Sequence, residues 1–157
     1  MRVTADELAG VVELFGGLTR DELETALSEV AYRAEEDLDV ETVEEAVADA
    51  LRSYHLVEYD DGDRTLLVDG PRAFPEQPPH GEDLPHIMDV EPRHVDRDQL
   101  GNAVRDRIET ETTLALAGGD HDRMRDLLDV SYDVEAWAPV ECRGVRARLD
   151  AKLDASA

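Results

Sequence analysis

Between Thr19 and Val68 the spacing of apolar residues changes once, from the helical period of 3.6 to the strand period of 2. Leu23, Ala26, Leu27, Val30 and Ala34 form one helical stripe. Thr19-Arg20-Asp21-Glu22 opens it as a capping box, with Leu18 and Leu23 as a hydrophobic staple. The pattern predicts a helix over Thr19–Glu36, fraying at Glu35-Glu36-Asp37, where carboxylates meet the negative end of the helix dipole. A second stripe, Val43, Ala46, Val47, Ala50, Leu51 and Tyr54, follows an Asp39 cap and predicts a helix over Asp39–Ser53. Two short runs then flank Asp60-Asp61-Gly62-Asp63, which predicts a hairpin pairing His55–Tyr59 with Arg64–Val68.

Upstream, Thr4 and Glu7 make another capping box ahead of Leu8, Val11, Val12 and Phe15, and Gly16-Gly17 closes that helix. Three helices followed by a hairpin, over the first 70 residues, resemble a winged helix-turn-helix domain. The resemblance rests on element order, capping and the hairpin. It implies a third helix that enters the DNA major groove and a wing that touches the backbone, as in archaeal transcription regulators.

The residues at those positions oppose that role. The third helix carries Asp39, Glu41, Glu44, Glu45 and Asp49 against Arg52, and the hairpin tip carries Asp60, Asp61 and Asp63 against Arg64. DNA binding requires cations facing phosphates and weakens steeply with salt. A protein-contact or structural role for this helix is therefore favoured over DNA contact.

Charge sets the context. The 157 residues hold 39 acids and 16 bases, for a net charge of −23, and Lys152 is the only lysine. Such a carboxylate-dense, lysine-poor surface resembles proteins of salt-in halophiles, the haloarchaea above all, and short acidic proteins of their uncharacterised families. In molar salt the Debye length is about 3 Å, so the self-repulsion is screened. On that reading net charge says little about partners. Cys142 is the sole cysteine, which excludes an intramolecular disulfide. No apolar run approaches the ~18 residues of a membrane span, and the N-terminus lacks a signal core. A cytoplasmic protein with no membrane contact is expected.

Six of the seven prolines lie between Gly70 and Pro92. Proline blocks helix continuation, so residues 71–95 are expected to form a strap over the first domain, anchored by Phe74, Leu84, Ile87 and Met88. Residues 96–157 are expected to be helical. Asp96 or Asp98 caps a helix bearing Leu100, Ala103, Val104, Ile108, Leu114 and Ala115, which Gly118-Gly119 ends. Asp120 or Asp122 caps the next, with Met124, Leu127 and Leu128; a turn with a weak helical or extended piece is expected over Ser131–Ala138. Pro139 is expected to open the last helix, lined by Val145, Leu149 and Leu153.

Few constellations carry chemistry. Arg143, Arg146, Arg148 and Lys152 make the last helix the one locally basic stretch, a candidate contact for nucleic acid or an acidic partner. The favoured alternative is that its arginines pair with nearby carboxylates. His80, His86 and His94, near Glu82, Asp83 and Asp89, are weak metal-ligand candidates whose spacing matches no known motif. Cys142 near a helix start beside Arg143 and Arg146 could hold a lowered thiol pKa, but no base adjoins it, and a half-buried structural role is favoured. No phosphate-binding glycine pattern or nucleophile elbow is present, and neither a catalytic residue nor a cofactor is expected.

The expectation is thus a mainly α protein with one β-hairpin (α+β): a winged-helix-like domain over 1–70, a proline-rich strap over 71–95 and a helical region over 96–157. Its expected role is non-enzymatic and cytoplasmic, as an interaction or regulatory protein binding another protein or itself as a homodimer. A DNA-binding regulator is the first alternative and a metal-binding protein the second.

Overall fold

The computed structural model describes residues 1–155. It is mainly helical, at 63%, with one two-stranded antiparallel hairpin. The chain forms two compact units, one spanning Met1–Val95 and the other beginning at Asp96.

In the first unit, α1 (Ala5–Phe15) and α2 (Arg20–Arg33) both begin at complete capping boxes, Thr4 with Glu7 and Thr19 with Glu22. Gly16, in the left-handed region, closes α1. Helix α2 ends at Arg33, short of Glu36. There Glu35 turns left-handed, at φ 55°, and the Glu36 N–H reaches back to the Ala31 carbonyl, so the acidic end leaves the helix. Helix α3 (Val40–Arg52) starts at the Asp39 cap. It ends in a similar motif in which Tyr54 sits at φ 61° and the His55 N–H bonds the Ala50 carbonyl. Left-handed backbone costs a non-glycine residue ~1–2 kcal/mol. Full burial of the Tyr54 ring offsets that cost.

The hairpin pairs β1 (Leu56–Asp60) with β2 (Thr65–Asp69), Tyr59 opposite Leu66 and Val57 opposite Val68. Its tip is organised by carboxylates: Asp60 accepts from the Gly62 N–H, and Asp61 from the N–H groups of Asp63 and Arg64. Leu66, Leu67 and Val68 are all buried, so β2 is covered on both faces rather than alternating. Leu18, between α1 and α2, adds a single bridge to Leu67, exchanging both backbone bonds at 3.0 and 2.6 Å. The core joins Leu8, Val12 and Phe15 of α1 to Leu23, Leu27 and Val30 of α2, Val43 and Val47 of α3, and Leu56 and Leu67 of the hairpin.

Residues 71–95 are strapped along α1. The Phe74 N–H bonds the Asp6 carboxylate and the Glu76 N–H the Asp6 carbonyl, at the start of α1; the Arg93 N–H bonds the Phe15 carbonyl, at its end. Between these points the strap makes a 3₁₀ turn (Gly81–Asp83) and a short helix, α4 (Leu84–Ile87). Leu84 is fully buried in the core, with Met88 and Val90 packed against it. Phe74, expected as an anchor, is 82% exposed: its backbone, not its ring, makes the attachment.

The second unit consists of α5 (Arg97–Gly118), α6 (His121–Trp137) and α7 (Arg143–Ala155). Asp96 and Asp120 cap the first two, and left-handed Gly119 ends α5. The buried stripe of α5 is Leu100, Gly101, Val104, Ile108, Thr112 and Ala115. Ala103 and Leu114, expected inside, face out, because helical rotation from Ile108 brings Thr112 inward instead. Gly101 admits the turn after α6, since a Cβ there would lie 2.9 Å from the Ala138 Cβ.

Two expectations are corrected here. Helix α6 runs unbroken to Trp137 instead of turning at Ser131, because Val130, Ser131 and Val134 continue the buried stripe and the Ser131 hydroxyl bonds the Leu128 carbonyl. Pro139 does not open α7, which begins at Arg143; Pro139 lies in the preceding turn. None of the described helices is long and apolar enough to cross a membrane.

Candidate interaction surface

The N-terminal unit presents three grooves that share the start of α2. The first lies between α2 and the hairpin, with a volume of ≈ 430 Å³, and is lined by Arg20, Glu58, Arg64 and Thr65. Its cations are already near carboxylates, Arg20 at 3.9 Å from Glu58 and Arg64 at 3.1 Å from Asp61. The second, ≈ 330 Å³, lies between α2 and α3, with Val43 and Val47 at its base and Arg20, Glu24 and Glu44 on its walls. The third, ≈ 410 Å³, lies between α2 and the strap: Asp21, Thr25 and Glu29 on one wall, Ile87, Met88, Asp89 and Val90 on the other.

Arg93 fixes the position of that strap wall. Its guanidinium forks onto Glu22, Nη1 to Oε1 at 2.6 Å and Nη2 to Oε2 at 2.7 Å, while Nη1 also donates to the Gly17 carbonyl. Glu22 serves two groups at once, because the same Oε1 accepts the Thr19 N–H. The Arg93 hydrogen bonds hold the Glu22 carboxyl down to about 2. The reciprocal bonds raise the Arg93 pKa.

The solvent face of α3 is acidic. Glu41, Glu44, Glu45 and Asp49 are exposed beside Arg52, and the hairpin tip adds exposed Asp60, Asp61 and Asp63. Phosphate would meet repulsion along this whole face.

The basic residues of α7 fall into distinct environments. Arg146 is turned inward: it forks onto Glu135 at 3.0 Å, reaches the Ser131 hydroxyl at 3.4 Å and lies 4.4 Å over the Tyr132 ring. Arg148 donates to the Thr113 hydroxyl at 2.8 Å. Arg143 and Lys152 are exposed. Glu135 repeats the arrangement seen at Glu22, accepting the Cys142 N–H at 2.7 Å as well as the arginine fork. Those bonds, Arg146 first and Cys142 second, lower its pKa.

Cys142 is buried, and its thiol pKa is raised, first by burial and then by the Glu135 charge. The nearby arginines therefore do not turn it into a thiolate. His80, His86 and His94 are exposed along the strap, and among the described residues no three His, Cys, Asp or Glu side chains are grouped to hold a metal ion.

Arg93 was not legible as a site residue. Glu22 reads in sequence as a capping partner, and Arg93 lies 71 positions away, so only the folded strap brings them together.

Residues 6–154 match the model of a family described as a family of unknown function, DUF7109. No curated protein and no solved structure matches the chain.

Proposed function

The chain belongs to the DUF7109 family, whose function is unknown, and within it we propose a non-enzymatic, cytoplasmic protein of a halophile that binds another protein, or a second copy of itself, through its N-terminal unit. The unit is read as a winged helix whose outer face contacts protein instead of DNA. The observation that carries this reading is the exposed acidic face of α3, continuous in sign with the hairpin tip. Supporting the winged-helix reading is the order helix, bridging residue, helix, helix, hairpin. The halophilic reading rests on the net charge of −23 with a single lysine.

The test is a capture experiment in molar KCl with the full chain as bait, run beside a gel-shift assay with duplex DNA in the same salt. Recovery of a protein partner or a dimer, with no DNA shift, supports the proposal. A DNA shift that weakens with added salt and is lost in Arg143→Ala would replace it with the regulator reading.

A further inference from the structure

We propose that the groove between α2 and the strap is the docking site for a partner segment in which an arginine or lysine is flanked by aliphatic side chains. This rests on the protein-binding reading above and specifies the partner's chemistry. Ile87, Met88 and Val90 supply a half-buried aliphatic wall, and Met88 and Val90 are backed by the core, so the wall is fixed. Asp21, Glu29 and Asp89 supply carboxylates along the same groove. None of these three makes a side-chain hydrogen bond or ion pair among the described residues. The other two grooves each include at least one arginine in their lining; this one has none.

The groove's edge already shows what it accepts. Glu22, on the same wall, takes a guanidinium from the chain itself, Arg93, as a two-armed fork. Guanidinium and carboxylate match in this geometry, and such contact pairs persist where longer-range attraction is screened. A bare metal ion does not fit, because no three ligating side chains converge among the described residues. An extended organic cation with apolar neighbours satisfies both the spread carboxylates and the aliphatic wall.

A random-peptide display library, selected in molar KCl against the full chain, tests this. Two variants serve as controls: Glu29→Gln with Asp89→Asn, isosteric and at the surface, and Ile87→Ser on the aliphatic wall. The expected result is enrichment of peptides with Arg or Lys beside Leu, Ile, Val or Met, whose affinity falls about tenfold, or ~1.4 kcal/mol, in each variant. No enrichment, enrichment of peptides without a basic residue, or unchanged affinity in the variants would overturn it. Lysate capture in the same salt separates the two readings. Equal recovery of one partner by the wild type and the Gln/Asn variant leaves protein binding standing and removes this groove. No recovery and no enriched peptide removes both.

Discussion

Arg93 and Glu22 meet 71 positions apart in sequence, and their fork closes the strap against the helices it crosses. The backbone N–H of the same arginine takes the Phe15 carbonyl at the end of α1. One residue therefore satisfies the C-terminus of one helix and braces the capping box of the next. The side chains are only 14% and 25% exposed, so removing one partner would leave the other poorly solvated and unpaired, a larger cost than at an ordinary surface ion pair.

Replacing Glu22 by Gln is expected to lower stability by ~1–3 kcal/mol, since a charged hydrogen-bond acceptor is lost while Arg93 stays half-buried. Urea unfolding in constant salt measures it. Amide exchange is expected to rise over residues 84–95 before it rises in α5 or α6.

The same pair has a pH signature. The folded Glu22 carboxyl, at about 2, lies below its ordinary 4.5. Its contribution is complete above about pH 4.5 and is lost as pH falls toward 2. Net charge changes over the same titration: the repulsion of a chain at −23 is relieved on the way down to the isoelectric point near 4.3, and positive charge builds below it. The quantity to follow is thus the stability difference between wild type and Glu22→Gln, which is expected to shrink across that window.

Gly10→Ala is expected to destabilise despite improving helix propensity by about 1 kcal/mol. A Cβ at Gly10 would overlap the backbone of Glu76, where the strap crosses α1. Overpacking of this kind costs ~1–3 kcal/mol, so the net sign is loss, read as a lower thermal midpoint with faster exchange at the Glu76 amide.

In the second unit, Arg146→Lys is expected to cost ~1 kcal/mol or more, although charge is kept. Lysine can reproduce neither the fork on Glu135 nor the stack on Tyr132. Arg143→Ala, at an exposed position, is expected to fall within ~0.5 kcal/mol of wild type. Chemical unfolding of both variants separates a helix whose basic residues are unequal from a uniform basic patch.

Cys142 is expected to resist thiol reagents at pH 8 in the folded protein and to react at once when the chain is denatured. Burial leaves it 1% exposed, and its thiol titrates above the ordinary 9.0. Prompt reaction in the native state would contradict both.

How much of this could be read beforehand depended on how local each cause was. The caps at Thr4, Thr19 and Asp39 are set by residues within three positions, and the structure has them where the spacing predicts; of the two candidates Asp96 and Asp98, Asp96 is the cap. The hairpin was likewise set by Asp61-Gly62. Helix α6 was misread past Ser131 because serine and aspartates have weak helix propensity, and tertiary burial of Val130 and Val134 overrode it. Leu114 and Phe74 were misread for the opposite reason: a large apolar residue suggests burial, but rotation and backbone attachment decided each case. The strap groove had no sequence signal at all, since its two walls are more than fifty positions apart.

The attachment of the strap at both ends of α1 sets where this protein can be cut. A truncation after Asp69 would keep α1 to α3 and the hairpin yet strip Leu84 of α4 from its seat and leave the Phe15 carbonyl and Glu22 fork unanswered. The shortest fragment worth expressing on its own ends at Val95, and a protease that nicks the exposed stretch around Gln77 would be expected to loosen α1 without severing any helix.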